Sequence, residues 1–372
     1  MHKYLTKLSN LIDSLGKDKG DLARFKQLIE KLEYGFTLPP SRTLFVESTE
    51  RKWEIVSAFQ KTVRRGNKKL ALHVVSGMES LTEERAYMWK RICTVAAEDI
   101  GAANTQLMTF VLACASVFTP STLDSDNTLR LWQFLTAELC DSPKSRVYCQ
   151  YSILQTALAS NTSHYVSFDR SAVGRQVRAV LQAPLVGVTE RHKWLMKANW
   201  RAEGMAVGPI WHDALSHLKE YWTEQTFWNT PMLHGLPNYA YDKHTRVGSI
   251  ALTRACDIYH VKEQLKRFPC RNRKESLAWA LFYVEGGQLD RNANCPELCQ
   301  LEEEVVAEMH GLSPNGWHET KRVMRHLLAS GTMDQVRDAV LATMGYEASF
   351  HECTASSIDA GIAASEADAG SL

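Results

Sequence analysis

The residues best equipped for chemistry lie in the middle of the chain, in Asp242-Lys-His244-Thr-Arg246. An Asp and a His two positions apart can share a metal ion or a proton-transfer task. Tyr239 and Tyr241 beside them could shield such a site. The competing reading is a polar loop whose Asp caps the following helix. Cys295-Pro-Glu-Leu-Cys299 offers two thiolates, with Cys270, His310, His318 and His351-Glu-Cys353 in the same third of the chain. A structural zinc needs four ligands at defined spacing, and one weak cysteine pair does not supply them. Neither His318-Glu319 nor His351-Glu352 extends to H-E-x-x-H. No G-x-x-x-x-G-K-[ST] loop occurs, and no apolar strand ends in Asp-Glu to hold magnesium. ATP hydrolysis through a phosphate cradle is therefore not available. No cofactor is expected, and Asp242 and His244 remain the catalytic candidates.

Two clusters of cations suit phosphate contacts, which need charge rather than sequence-specific geometry. Lys61, Arg64, Arg65, Lys68 and Lys69 gather at a helix end, with Lys144 farther on. Arg267, Arg271, Arg273 and Lys274 gather around Pro269-Cys270 with Lys266. These are the expected DNA- or partner-binding residues. The alternative is solvated helix ends whose cations complement the dipole. Trp194, Trp200, Trp211, Trp222 and Trp228 could stack on single-stranded bases or fill a core.

Bulk properties set the limits. The chain has 372 residues, enough for two or three modest domains. Lys+Arg is 43 against 42 Asp+Glu, so contact with nucleic acid must come from local patches. No apolar run reaches membrane-spanning length. The start, Met1-His-Lys-Tyr-Leu, lacks the apolar core of a signal peptide. Nine cysteines at irregular spacing fit reduced thiols, so a cytoplasmic location is expected.

Apolar residues recur at helical spacing along most of the chain, so the expected fold is all-α. Leu5, Leu8 and Leu11 begin a stripe, and Leu22, Phe25, Leu28 and Leu32 form another. They make a helical preface over 1–48. Ile55, Phe59 and Val63 share a face, as do Leu72, Val75 and Met78. Met88, Ile92 and Val95 follow, then Leu107, Val111 and Cys114, and then Leu131, Phe134 and Leu135. Val147, Tyr151 and Leu154 form the last of this series. Helices this short must pack as a bundle, expected over 49–162. An aromatic-rich helical domain with an irregular central loop is expected over 163–353. The Ala/Ser/Gly-rich stretch 354–372 is expected to be a disordered tail.

Ser57-Ala-Phe-Gln-Lys-Thr-Val-Arg64, then Ala96-Ala-Glu-Asp-Ile-Gly101, then Ser142-Pro-Lys-Ser145 stand in order. They resemble three blocks in the collar that follows the ATPase core of the replication-associated recombination (maintenance-of-genome-stability) AAA+ ATPases, which are related to clamp loaders. The family patterns run S-A-F-x-K-S-x-R-G, A-S-E-D-I-G-L-A and A-P-K-S-N. Ser57, Ala58, Phe59, Lys61 and Arg64 match the first without a gap. Ala96, Glu98, Asp99, Ile100, Gly101 and Ala103 match the second. Arg65 stands where the family has Gly, and Lys68-Lys69 replaces Pro-Asp. The resemblance covers under a third of the chain and does not include the ATPase.

It implies a clamp-loader-like collar bundle joined to a second helical domain, and a homo-oligomer, with a tetramer as one candidate. DNA and replication or repair proteins are the expected partners, without membrane association. The leading expectation is a non-catalytic oligomerisation and assembly protein. One alternative is an adaptor or inhibitor, of phage origin for instance, that docks on a host AAA+ complex. Another is a metal-dependent enzyme built on Asp242 and His244. Within the collar, Ser57, Ala58 and Phe59 are expected to pack, while Lys61, Arg64 and Arg65 face solvent. Glu98 and Asp99 need a basic partner. Lys90 and Arg91, about two turns back on the same helix, are too far for an ideal pair. Arg64 or Lys144 on another helix is the expected partner.

Overall fold

The computed structural model describes residues 2–15, 19–35, 51–78, 85–118, 123–144, 146, 231–268, 270, 272–286 and 296–345. The predominantly α-helical fold expected from the periodicity is present. Thirteen α-helices occur among the described residues, with one two-stranded hairpin, Met232–Leu233 paired antiparallel with Leu236–Pro237. Val147 to Leu158, the five tryptophans from 194 to 228, Arg271, Cys295 and the C-terminal tail lie outside the described residues.

The first group of helices is α1 (His2–Leu15), α2 (Lys19–Glu30), α3 (Lys52–Arg64), α4 (Lys68–Gly77), α5 (Arg85–Val95), α6 (Thr105–Val117) and α7 (Ser125–Asp141). Helix α4 packs on α3 and α7, and α5 packs on α6. The preface helix α1 lies on α6, with Leu5 and Leu8 buried in the same core. Ile55, Phe59 and Val63 of α3 are fully buried, as the helical stripe requires. Trp89 meets Trp132 edge-on at 6.3 Å between ring centres, a favoured aromatic geometry.

Several helix starts carry polar caps. The Asn67 side chain accepts from Leu70 N–H, Asn104 from Leu107 N–H and Asp124 from Asn127 N–H. The turn from α3 to α4 needs a left-handed residue, supplied by Gly66 at φ 66°.

The second group is α8 (Arg246–Asp257), α9 (Tyr259–Lys266), α10 (Arg273–Leu281), α11 (Pro296–Met309), α12 (Pro314–Ala329) and α13 (Thr332–Thr343). Helix α8 packs on α10 and α13, and α12 packs on α10 and α13. The periodicity over 251–268 predicts one helix, but Ile258 is extended (φ −61°, ψ 126°) and divides it into α8 and α9.

Three helices among the described residues end in wider π turns. Lys31–Gly35 continues α2, Ala96–Ile100 continues α5, and Phe282–Gly286 continues α10. Such turns are short and concentrate at functional positions. The last two carry Glu98 and Asp99, and Glu285, towards α3.

Candidate functional site

Helix α3 lies between the rest of its own bundle and the segment 231–245. Its apolar face, Ile55, Val56, Phe59 and Val63, enters the core. Its other face carries Ser57, Lys61 and Arg65, with Gln60 and Arg64 at the edge. The spacing i, i+4, i+8 puts Ser57, Lys61 and Arg65 on one stripe.

Lys61 is 3% exposed. Its ammonium donates to Asp242 Oδ2 at 2.7 Å, to the Tyr239 carbonyl at 2.6 Å and to Ser57 Oγ at 2.8 Å. These three bonds use all three of its protons. Burial pushes the Lys61 amine down to about 8, against the pull of Asp242 and Glu285. Burial alone would raise the Asp242 carboxyl. Lys61 and His244 overcome that and hold it below the usual carboxylate range.

Arg64 Nε donates to Asp99 Oδ1 at 2.5 Å, and both side chains are buried. This is the inter-helix partner the sequence called for. Gln60 extends the contact by donating to Glu98 at 2.6 Å while accepting from Arg91 at 3.0 Å. Burial, then repulsion from Asp99, raises the Glu98 carboxyl.

Arg65 donates to the Glu285 carbonyl at 2.5 Å, and its guanidinium lies 3.8 Å from the centre of the Tyr239 ring. A cation over an aromatic face is attractive, more so when desolvated. The Glu285 carboxylate takes two bonds from Arg337, at 2.6 and 3.0 Å, and Arg337 is fully buried. Arg337 also donates to the Tyr241 carbonyl at 3.1 Å. Arg51, just before α3, donates to the Tyr241 hydroxyl at 2.8 Å and to the His234 carbonyl at 3.0 Å.

Lys144, in the third block, is 1% exposed. It donates to the Cys140 and Ser142 carbonyls at 2.8 and 2.5 Å, where α7 ends. A cation there satisfies orphan carbonyls and the negative end of the helix. Burial pushes its amine down to about 8, opposed first by Cys140 and then by Asp99.

These placements correct the expected exposure of Lys61, Arg64 and Arg65. Lys61, Arg64 and Lys144 are buried, and Arg65 is half-buried against Tyr239 and Glu285. The physical reason is that a long cationic side chain can enter a core once carboxylates and carbonyls meet it there. Only Lys68 and Lys69 of the first cluster are exposed, and Lys68 pairs with Asp141 at 2.7 Å. In the second cluster Arg267 and Arg273 are exposed, and Lys274 donates to Ser249 Oγ at 3.1 Å.

The loop 242–246 is a built turn rather than an open cup. Asp242 is 2% exposed, and its oxygens accept from Lys61, from His244 N–H at 2.9 Å and lie 3.2 Å from His244 Nδ1. The following helix is capped by Thr245, whose Oγ1 accepts from Gly248 N–H at 3.1 Å, so the expected Asp242 cap is not made and the Asp242 carboxylate bonds His244 N–H instead. A Cβ on Gly248 would stand 1.9 Å from the Asp242 carbonyl, so the close approach demands glycine. His244 is mostly exposed. Among the described residues no group of three or more His, Cys, Asp or Glu could hold a metal ion.

The arrangement is a buried ionic joint. Cations from α3 meet acids delivered by two π turns and by the segment before α8, and the joint ties the first helical group to the second. Sequence reasoning missed Glu285, Arg337 and Arg51. The polar i, i+4, i+8 stripe of α3 was the available signal that its second face has a partner. No helix among the described residues is long and apolar enough to cross a membrane. The chain matches no protein-family model, no curated protein and no solved structure.

Proposed function

We propose that this chain is a non-catalytic assembly protein of DNA replication or repair, which self-associates through its collar-like bundle. One observation carries the reading. Residues of the first two collar-like blocks meet in one buried ion pair, Arg64 on Asp99, and Lys144 of the third block is buried where α7 ends. A set of residues that converges on one buried polar centre specifies a packing arrangement. Buried ionic groups of this kind can fix one register among several, as a polar residue does in a coiled coil. Lys61 and Asp242 have their hydrogen-bonding capacity taken up internally, which favours scaffolding over catalysis at that loop.

Multi-angle light scattering of the purified chain tests the self-association. The reading expects a mass of at least twice 42.0 kDa. A strict monomer throughout the micromolar range would sink it.

A further inference from the structure

With the cations of α3 turned inward, we infer that single-stranded nucleic acid is bound elsewhere, on the exposed ridge that α9 and α12 form together. This inference is independent of the self-association reading, and each can fail alone.

Helix α9 is amphipathic. Val261 and Leu265 are buried, while Tyr259, Lys262 and Lys266 share the outer face at i, i+3, i+7. Helix α12 buries Trp317, Thr320, Met324 and Leu327 and presents Arg322 and Arg325 outward. The two helices pack together, and their exposed imidazoles, His260 and His326, meet edge-on at 6.2 Å between ring centres.

Arg267, exposed, stands at the C-terminal cap of α9. The hydrogen bond from Lys266 holds the Glu263 carboxyl low, and Lys262 and then Arg267 add to that effect. Arg322 does the same for Glu319, and Arg267 again contributes. One guanidinium therefore acts on a carboxylate of each helix.

The ridge carries Lys262, Lys266, Arg267, Arg322 and Arg325 against Glu263 and Glu319. Lys266 pairs with Glu263, and Arg322 pairs with Glu319. Lys262 and Arg325 form no ion pair with any described residue. The surplus is about three positive charges, free to meet phosphates. The chain as a whole is almost neutral, so this local excess stands out against it.

The occupant is chosen by Tyr259. It is 79% exposed at the start of α9, on the same stripe as Lys262 and Lys266. An exposed tyrosine beside phosphate-reading cations is a platform on which an unpaired base can stack. Duplex DNA keeps its bases stacked inside and would leave the ring unused. An acidic protein surface would use the cations and likewise leave the ring unused. The fold supplies what the sequence reading lacked. Lys266 and Arg267 belong to a sequence-local cluster, but Arg322 and Arg325 reach the same surface only through the packing of α12 on α9.

Fluorescence anisotropy with a labelled oligo-dT strand tests the inference on the full chain. With about three phosphates neutralised, quadrupling the salt lowers the association constant about twentyfold on a single strand. Lys262→Ala with Arg325→Ala is expected to weaken binding about tenfold or more at low salt and to flatten the salt dependence by about two contacts. Tyr259→Ala is expected to weaken it about fivefold or more, the loss of one stacked base.

Absence of oligo-dT binding at low salt, or binding unchanged in the double variant, overturns the inference. So does tighter binding of a poly-glutamate peptide than of the oligonucleotide, which assigns the ridge to an acidic protein partner. Duplex binding as tight as that of the single strand, with no effect of Tyr259→Ala, overturns the single-strand assignment.

Discussion

Asp99→Ala isolates the centre of the ionic joint. Asp99 is fully buried, and Arg64, bonded to it at 2.5 Å, is 3% exposed. Removing one member of a buried pair leaves the other charge desolvated, at a cost of about 3–5 kcal/mol. Glu98 is adjacent, and the field of Arg64 already reaches it. Its carboxylate can partly replace the lost one, so the lower end, about 3 kcal/mol, is the expected loss. Urea unfolding followed by circular dichroism reads this as a shift in midpoint at unchanged slope. The contrast is Asp141→Ala, which removes the exposed partner of Lys68 and should cost about 0.5 kcal/mol or less. Arg64→Met with Asp99→Leu removes both charges and should restore most of the loss, since a buried pair exchanged for apolar groups is often close to neutral. If Asp99→Ala cost no more than Asp141→Ala, Asp99 would not be holding a desolvated Arg64, and the joint would not be buried.

Acid should weaken the protein through Asp242 and Glu285. Both carboxyls sit below their ordinary values of 3.8 and 4.5, because Lys61 and Arg337 overcome the effect of burial. Their stabilisation is complete above the unfolded values and lost as pH falls through the lower folded ones. The thermal midpoint should therefore decline below about pH 4, and Asp242→Asn should lower the neutral-pH midpoint while making the acid decline shallower. Gly248→Ala forces a Cβ against the Asp242 carbonyl, a main-chain atom that cannot swing away. Calorimetry should show a loss of about 2 kcal/mol or more. His244→Ala removes a mostly exposed imidazole 3.2 Å from Asp242, and the loss of unfolding free energy should stay at about 1 kcal/mol or less.

The helices were legible because their cores repeat at 3.6 residues. Ile55, Phe59 and Val63 declare α3, and Leu131, Phe134 and Leu135 declare α7, without reference to any partner. The partner of Asp99 could be narrowed to Arg64 or Lys144 because distance along one helix ruled out Lys90 and Arg91.

The inward turn of Lys61 was not legible. Its carbonyl acceptor on Tyr239 lies 178 residues away, and a polar residue near a helix end reads locally as solvated. Burial there is a long-range property, set by where the segment 231–245 docks. The π turns were also hidden, since widening by one residue leaves no clear periodic mark in so short a run. The Asp242–His244 pair drew attention by its residue types, yet its partner was the Lys61 already weighed as a DNA contact. Two separate candidates were two halves of one ion pair. The ridge of α9 and α12 was half visible. Lys266 and Arg267 adjoin in sequence, but Arg322 and Arg325 join them only through packing.

Sedimentation equilibrium of the full chain tests the assembly role most directly. It should return a single species at twice 42.0 kDa or a higher whole multiple. Asp99→Ala should shift it towards the monomer if the collar-like packing builds the interface. A parent chain that stays at monomer mass at every concentration would contradict the account.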